Sequence, residues 1–399
     1  MSSPEPRKHK SSNIDQQSDQ LIWRATVRQS TKTGTDRVTI AQVAREAGVS
    51  KTSVSRYLGG EFDALSVRLR DQIGKTIARL GYQPSQMARG LKGGRTKLIG
   101  MLVADILNPY SVAVLHGAEA ACQKHGYTLM LCNTGNDEER EKQSLAALHS
   151  YSVEGLLFNT QGRNVTPLKE LGQAAFPVVL LDRRIEGCDF DLVGLDNVKA
   201  AQLATRHLLA QGYTDIALVV QPLYGVSSRQ GRQAGFLQAM AERGDCHGET
   251  LEVHLDQPGH TATVLREFFE RRRDSRGRIA ILAGNGMVSL QIALALQSMK
   301  LNFPQDVGLL CFDELSWSPL VGSGISTIEQ PTYEIGFTAI ERLLVRINGE
   351  RSVRMEILLD GRLISRGSSR SVAGNDEMAL SSMVAQKMAR AGAEGIVAA

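Results

Sequence analysis

A group of short polar and basic side chains between positions 51 and 56 is the part of this sequence best suited to bind a polyanion. Each of them can donate hydrogen bonds to phosphate oxygens or to base edges. The group comprises Lys51, Thr52, Ser53, Ser55 and Arg56. Val54 and Leu58 are spaced i, i+4 in the same segment, so a helix here buries two apolar side chains and leaves the polar ones at the surface. The pattern predicts a helix that enters the major groove of DNA.

Capping signals predict two short helices joined by a tight turn. Thr39 and Gln42 match a capping box, in which the Thr side chain accepts a hydrogen bond from the third helical amide. Gly48 supplies the left-handed residue that ends the first helix, and Ser50 caps the second. This arrangement is typical of a helix-turn-helix. A third helix is expected between the cap Ser66 and Gly81.

The distribution of charge supports a DNA-binding role for the N-terminal part. Residues 1–97 carry 18 basic and 8 acidic residues, whereas the remainder carries 28 basic and 34 acidic residues. The alternative is a three-helix bundle that binds nothing, because small and apolar residues alternate in any packed helix. The caps, the polar outer face and the local positive charge together favour DNA binding.

Beyond position 97, apolar runs alternate with helical stretches, which is typical of parallel sheets covered by helices. The runs are LIGMLV, YTLMLC, VEGLLF, PVVLLD, DIALVV, IAILAG and VGLLCF. Seven or more parallel strands exceed what one domain of ordinary size needs, so two lobes are expected. The predicted fold class is α/β, with an N-terminal all-α helix-turn-helix domain followed by a two-lobed domain with parallel sheets.

Breaks in the pattern predict five segments. They are a disordered basic tail (1–36), the helix-turn-helix domain (37–84), a hinge helix and linker (85–96), the two-lobed domain (97–370) and a C-terminal tail (371–399). The first segment is polar and has no apolar period, so it cannot bury enough surface to fold. The last is rich in Met and Ala and is expected to be a solvent-exposed appendage.

Several classes of protein are disfavoured by the sequence. Five cysteines without CxxC spacing argue against a disulfide framework. No run reaches the roughly 18 apolar residues of a membrane span, and the N-terminus lacks the apolar core of a secretory signal. We therefore expect a cytoplasmic protein without a membrane partner. The sequence contains no GxxxxGK[ST] loop, GxSxG elbow, HExxH or metal-spaced His/Cys cluster, so neither an enzyme nor a cofactor or metal is expected.

From Val38 to Arg366 the sequence resembles the lactose-repressor (LacI) family of bacterial regulators. The segments VTIAQVAREAGVSKTSVSRYLGG and GYQPSQMARGLKGGRTKLIG carry the resemblance. It implies a two-lobed domain like that of periplasmic sugar-binding proteins, which binds an effector and forms dimers. The implied base contacts are Lys51, Thr52 and Arg56. The implied phosphate contacts are Ser50, Ser53 and Ser55, and Thr39 is added as a further DNA-binding residue.

Residues 85–92 can form about two helical turns, and an isolated helix that short is marginal in water. The resemblance implies that two such hinge helices pair in a dimer and enter the minor groove, where Leu91 wedges between base steps. Ala88 allows close helix approach, and Arg89 and Lys92 can reach phosphates. The alternative is a plain interdomain linker. A homodimer predicts a near-palindromic operator in double-stranded DNA.

Polar residues follow several predicted strands, where the loops of a two-lobed fold converge on a cleft. The candidate effector-binding residues are Asp105, Tyr110, Asn159, Thr160, Asp182, Arg183, Arg232, Asn285, Asp313 and Trp317. Such a set can orient a polyhydroxylated ligand. Asp196 and Asn197 also follow a strand, but they can instead cap the next helix. Among the candidates, Asp182 can instead hold a loop and Trp317 can pack in a core.

Two positions bear on the class of ligand. Arg232 stands in RQAGF, similar to the R-x-x-G-F of the family, whose arginine binds effector. Asn285 replaces a common family aspartate, which removes one negative charge and favours a carboxylate ligand. The segments FNTQG and DELSW are similar to the branch of the family that senses keto and aldonic sugar acids such as 2-ketogluconate.

The sequence therefore predicts an effector-responsive, sequence-specific DNA-binding regulator, a repressor of sugar or sugar-acid metabolism genes that its ligand releases. Corepression by the ligand stays open, as does the choice between dimer and tetramer. The alternatives from other classes are an enzyme that modifies a sugar or sugar acid, for which no catalytic motif is found, and a periplasmic sugar-binding receptor, against which the helix-turn-helix argues.

Overall fold

The computed structural model describes residues 38–83, 95–159, 176–275 and 277–371. The predicted hinge residues Ala88, Arg89, Leu91 and Lys92 lie outside the described residues, as do Thr160 and the predicted N-terminal tail; of the predicted C-terminal tail only residue 371 is described. The chain divides into two compact units, Met1–Lys92 and Gly93–Ala399. None of the helices in the described residues is long and apolar enough to span a bilayer.

The described part of the first unit, residues 38–83, contains three α-helices, which begin and end where the capping signals predict. They are α1 (Ile40–Glu46), α2 (Lys51–Leu58) and α3 (Val67–Leu80), with a 3-10 turn at Phe62–Ala64. The side chains of Thr39, Ser50 and Ser66 accept hydrogen bonds from the amides of Gln42, Ser53 and Leu69 at 3.3, 3.0 and 3.4 Å. Gly48 and Gly81 have φ angles of 60° and 59°, as the predicted helix ends require.

The core of this unit is formed by side chains from all three helices. Val43, Val54 and Ile73 are completely buried and make contact with one another. Gln72 on α3 donates a hydrogen bond of 2.8 Å to the carbonyl oxygen of Ala47 at the end of α1. The apolar stripes of three short helices thus meet in one cluster, which fixes the direction of α2.

The second unit consists of two lobes, each built on a six-stranded sheet. In lobe 1 the strand order is β11-β5-β4-β3-β1-β2, and all pairs are parallel. The strands are β1 (Leu98–Val103), β2 (Thr128–Asn133), β3 (Gly155–Asn159), β4 (Val178–Leu181), β5 (Asp191–Leu195) and β11 (Glu356–Leu359). The described helices of this lobe are α4 (Pro109–Lys124), α5 (Glu138–Ser150) and α10 (Thr332–Ile347).

Lobe 2 has the strand order β12-β10-β9-β8-β6-β7, in which only β12 is antiparallel to its neighbour among the described strands. The strands are β6 (Asp215–Val220), β7 (His247–Glu252), β8 (Ile279–Ala283), β9 (Gly308–Phe312), β10 (Ser326–Glu329) and β12 (Arg362–Ile364). The helices are α6 (Asn197–Ala210), α7 (Ser227–Ala241), α8 (His260–Arg271) and α9 (Gly286–Ser298), and 3-10 turns lie at Ser318–Leu320 and Gly367–Ser369.

Both sheets are covered on their two faces, which explains the continuous apolar runs in the sequence. Met101 and Leu102 are neighbours on β1, yet they belong to apolar clusters on opposite faces of the sheet. Leu218 and Val219 on β6 show the same division. Strands buried on both faces need no polar alternation.

The chain passes between the lobes at three places, after β5, after β10 and after β11. The carboxyl ends of these strands therefore lie beside the cleft between the lobes. The fold brings the strand-end loops of both lobes to this cleft, as the sequence analysis expects.

Candidate functional site

The outer face of α2 presents the predicted DNA contacts. Lys51, Thr52 and Arg56 are exposed, whereas Ser53 and Ser55 are half-buried. The hydroxyl oxygens of Ser50 and Ser53 lie 3.0 Å apart beside the amino end of the helix. An exposed basic side chain at each end of α2, with hydroxyl and amide donors near its amino end, suits contact with bases and phosphates.

A cavity of about 360 Å³ lies between the lobes of the second unit. Tyr110 lines it from α4 in lobe 1, and Asp313 and Trp317 line it from the loop after β9 in lobe 2. Gln330, which follows β10 at a crossing between the lobes, also lines it. Three of the ten predicted effector residues thus share one cavity.

Asp182 and Arg183 stand on the loop that follows β4. Asp182 has a left-handed backbone, with φ of 63°, and a Cβ atom at Gly194 would lie only 2.9 Å from its Cα atom. The absence of a side chain at position 194 therefore lets the loop pass close to β5. This tight turn places both polar side chains at the edge of the cleft.

Several polar atoms around the cleft are buried and have no hydrogen-bond partner within the part of the chain that the structure describes. They are Tyr110 Oη, Asp182 Oδ1, Arg183 Nε, Arg183 Nη1 and Gln330 Oε1. Buried polar groups are normally hydrogen-bonded, so this concentration marks a place where a ligand or water completes the bonding.

Four charged residues of the predicted set lie close enough to Tyr110 to affect its pKa, namely Asp182, Arg183, Arg232 and Asp313. Burial raises the pKa of Tyr110 well above its ordinary value, the charges of Asp182 and Asp313 raise it further, and those of Arg232 and Arg183 oppose the rise. The Tyr110 phenol is therefore neutral and can act as a hydrogen-bond donor. Burial also lowers the pKa of Arg183, although the nearby Asp182 carboxylate opposes this effect.

Arg232 on α7 is 6 % exposed and is held by neutral groups. Its Nε atom donates a hydrogen bond of 2.8 Å to Oδ1 of Asn197, and Nη1 donates to the carbonyl oxygen of Gly284. Its guanidinium carbon lies 4.3 Å from the centre of the Phe312 ring. The arginine is thus fixed in position while its charge stays unpaired by any carboxylate of the described residues within 4 Å.

Asn285 has its side-chain amide engaged on both sides. Oδ1 caps α9 by accepting a hydrogen bond of 2.9 Å from the amide of Val288, and Nδ2 donates one of 2.8 Å to Oε1 of Gln221. Asp313 accepts from the amide of Gly286 at 2.7 Å and from Gln330 at 2.5 Å. Asn285 therefore orders the loop beside the cleft with both ends of its side chain.

The side chains of two further predicted residues form hydrogen bonds with backbone groups. Asp105 Oδ1 accepts a hydrogen bond of 2.9 Å from the amide of Leu107, which makes an Asx turn. Asn159 is buried and its Nδ2 donates one of 3.0 Å to the carbonyl oxygen of Leu181, so it ties the end of β3 to the end of β4.

The sequence allows the Asp196–Asn197 pair to cap a helix, and the structure gives the two residues different roles. Asp196 caps α6 through a hydrogen bond of 3.0 Å from the amide of Lys199, while buried Asn197 holds Arg232. Gln221 and Gln330 were missed because a glutamine after a strand carries no distinctive pattern. The signal available for Gln330 was its place before a proline at the end of a strand.

A helix-turn-helix with an exposed basic face and a separate two-lobed unit with a polar cleft define a ligand-responsive DNA-binding regulator. Known families agree with this class. A model of bacterial regulatory proteins of the lacI family matches residues 39–85, and a model of periplasmic binding proteins and the sugar binding domain of the LacI family matches residues 96–366. The chain belongs to the LacI family.

Individual relatives support the same assignment. The HTH-type transcriptional regulator PtxS of Pseudomonas putida is 47 % identical over 84 % of this chain and 96 % of its own length. The HTH-type transcriptional regulator KdgR of Bacillus subtilis is 39 % identical over 84 % of this chain and 99 % of its own length. The protein is accordingly a transcription regulator.

The fold also matches solved structures. A lac repressor dimer bound to operator and an anti-inducer superimposes with a TM-score of 0.72 over 84 % of this chain and all of that chain, at 22 % identity. The predicted architecture, an all-α DNA-binding domain followed by a two-lobed α/β domain, is confirmed.

Proposed function

We propose that this regulator is an operator-binding repressor that a keto or aldonic sugar acid, such as 2-ketogluconate, releases from DNA. The observation that carries the proposal is the guanidinium of Arg183, whose Nε and Nη1 atoms are buried without a partner in the described residues. A buried cation without a bonded partner is costly, and a ligand carboxylate is its natural complement.

The charges around the cleft support an acidic ligand. Among the described residues, neither Arg183 nor Arg232 forms an ion pair with a carboxylate within 4 Å. Both oxygens of Asp313 already accept hydrogen bonds from Gly286 and Gln330. The Asp182 carboxylate acts on Arg183 without bonding to its Nε or Nη1 atom. These two donors therefore remain available to an acid, and the amide of Asn285 adds no further negative charge beside them.

The remaining free groups suit the hydroxyls of a sugar chain. Tyr110 Oη can donate, while Asp182 Oδ1 and Gln330 Oε1 can accept. Tyr110 and Gln330 line the cavity of about 360 Å³, to which the ring of Trp317 adds an apolar wall, whereas Asp182 lines a separate cavity of about 60 Å³. A few placed polar groups and one aromatic face in a cavity of this order are typical of small-molecule sites.

The homodimer is part of the proposal. An apolar groove of about 970 Å³ runs along α9 and the loops beside it, and we name it the α9 groove. Leu290 and Leu294, spaced i, i+4 on α9, line it and are 42 % and 50 % exposed. In a two-fold dimer each protomer contributes the same surface patch. One apolar face on the chain is therefore enough to form the dimer interface. The matched lac repressor is itself described as a dimer.

On the DNA side, the proposal assigns base contacts to Lys51, Thr52 and Arg56 in each protomer. Two copies of α2 then contact two half-sites of a near-palindromic operator. The hinge segment 85–92 is proposed to enter the minor groove between them. Ligand binding weakens this arrangement, and by reciprocity operator binding weakens ligand affinity.

Calorimetry with 2-ketogluconate, gluconate and glucose tests the ligand class. The acids should bind the wild type, and Arg183→Gln should weaken their binding roughly 100-fold, because a buried charged contact is worth about 2–5 kcal/mol. Arg184→Gln is the matched control, since Arg184 is exposed and pairs with Glu356 at 2.6 Å. Unchanged acid affinity in Arg183→Gln, or binding of glucose in preference to the acids, would contradict the proposal.

A further inference from the structure

Trp317 lines both the cleft cavity of about 360 Å³ and the α9 groove. Its side chain forms part of the wall of the cleft cavity, together with Tyr110 and Asp313, and part of the wall of the α9 groove, together with Leu290 and Leu294. The indole is half-buried and packs against the apolar cluster beneath α9. One rigid side chain therefore separates the proposed ligand from the proposed dimer face.

The segment that carries Trp317 has the same double position. We name residues 313–323 the wall loop. Its first half, which includes Leu315 and Ser316, faces the cleft cavity, and its second half, which includes Val321 and Ser323, faces the α9 groove. Both faces belong to one stretch of eleven residues, so a shift on one side has a short path to the other.

Hydrogen bonds within the wall loop, and one from Ile325 just beyond it, hold its two halves together. The hydroxyl of Ser318, which is 2 % exposed, accepts a bond of 3.3 Å from the amide of Leu315. The carbonyl oxygen of Ser318 accepts one of 2.8 Å from the amide of Ile325, and that of Trp317 accepts one of 2.9 Å from the amide of Leu320. Leu320 at the tip is 81 % exposed, on the groove half of the loop.

We infer that Trp317 and the wall loop couple the ligand cavity to the surface on which a second copy of this chain docks. A ligand that contacts the indole changes the shape of the α9 groove, and the strength of the dimer changes with it. Linkage then requires that dimerisation changes ligand affinity by the same factor. This inference rests on the proposed function, because it takes the sugar acid and the homodimer from there.

The test measures the dimer dissociation constant by sedimentation, with and without saturating 2-ketogluconate, and confirms ligand binding by calorimetry on the same samples. For the wild type we expect the ligand to change this constant by about fivefold or more, within the usual range of coupling between sites. Trp317→Leu should abolish the change, and Trp317→Phe, which keeps an aromatic ring, should retain part of it.

Leu290→Ala is the matched control, because Leu290 lines the groove and not the cleft cavity. It should weaken the dimer while the fold-change caused by the ligand persists. If the wild type binds the ligand and its dimer dissociation constant does not change, the inference is overturned and the proposed function stands. The same holds if the ligand changes the dimer dissociation constant of Trp317→Leu as much as that of the wild type. Absence of calorimetric binding of any sugar acid would instead overturn the proposed function and this inference with it.

Discussion

The backbone amide of Arg184 donates a hydrogen bond of 2.7 Å to Oγ of Ser227, and this bond joins lobe 1 to lobe 2. Arg184 follows β4, and Ser227 begins α7. The bond lies at a cavity of about 60 Å³ that Asp182 and Asn197 also line. It therefore stabilises the approach of the lobes beside the residues that hold Arg232 and the proposed ligand.

Ser227→Ala should weaken ligand binding, because it removes a contact that exists only while the lobes are close. One hydrogen bond contributes about 0.5–1.5 kcal/mol, which corresponds to roughly a two- to tenfold loss of ligand affinity in calorimetry. Ser150→Ala is the matched control, since that hydroxyl bonds only within its own helix, to the carbonyl oxygen of Ala147. Wild-type affinity in Ser227→Ala would show that the bond plays no part in closing the lobes.

Arg232→Ala should retain operator binding and lose the response to ligand. The substitution removes the guanidinium beside Tyr110 and leaves the side chain of Asn197 and the carbonyl of Gly284 without their donor. We expect a stability loss on the order of 1–3 kcal/mol from these buried acceptors, which a thermal melt can follow. Operator-binding titrations with and without 2-ketogluconate measure the response, and a normal response would remove Arg232 from the site.

Asp191 should make the second unit sensitive to acid. Burial works against its charged form, but hydrogen bonds from Arg346, the amide of Met355 and Arg342 lower the pKa of Asp191 from 3.8 to about 2. Because the folded pKa is the lower one, this stabilisation is present above pH 4 and is lost as the pH falls from about 4 to 2. The loss is on the order of 2 kcal/mol.

Urea unfolding at several pH values measures this effect. In Asp191→Asn the dependence of the unfolding free energy on pH between 4 and 2 should be shallower than in the wild type by that amount. Asp189→Asn is the control, because Asp189 is 92 % exposed in its side chain. Equal pH dependence in wild type and Asp191→Asn would show that the ion pairs do not stabilise the fold.

Leu91→Ala tests the proposed hinge wedge. An apolar side chain that unstacks a base step contributes only where the DNA bends to receive it. The substitution should therefore weaken specific operator binding much more than binding to random DNA, and Leu91→Met should retain most of the specificity. Fluorescence anisotropy on both kinds of DNA measures the two affinities, and equal losses on both would contradict the wedge.

Local signals predicted the helix-turn-helix well, because caps and left-handed glycines act within a few residues. Thr39, Ser50 and Gly81 each have the predicted role. Runs buried on both faces, such as Leu98–Val103 and Asp215–Val220, were predicted as strands because a continuous apolar run is also a local signal. Five strands have no counterpart among the predicted runs, namely β5, β7, β10, β11 and β12. β7, with the sequence HGETLE, is a polar edge strand that gains its order from β6 and not from its own apolar pattern.

The cleft was only partly predictable. Its polar residues were found from their place after strands, but their partners depend on contacts between distant segments. Nothing local shows that Asn285 bonds Gln221, 64 positions away, or that Asn197 holds Arg232. The orientation of Arg183 likewise follows from the close passage of the loop beside Gly194, which only the folded chain shows.

A titration of the protein on its operator, with 2-ketogluconate, gluconate, glucose and ribose added in turn, measures whether a sugar acid controls operator binding. One or both acids should release the protein from DNA at concentrations where the neutral sugars have no effect, and Arg183→Gln should no longer respond. Release by glucose or ribose without any effect of the acids would contradict control by a sugar acid.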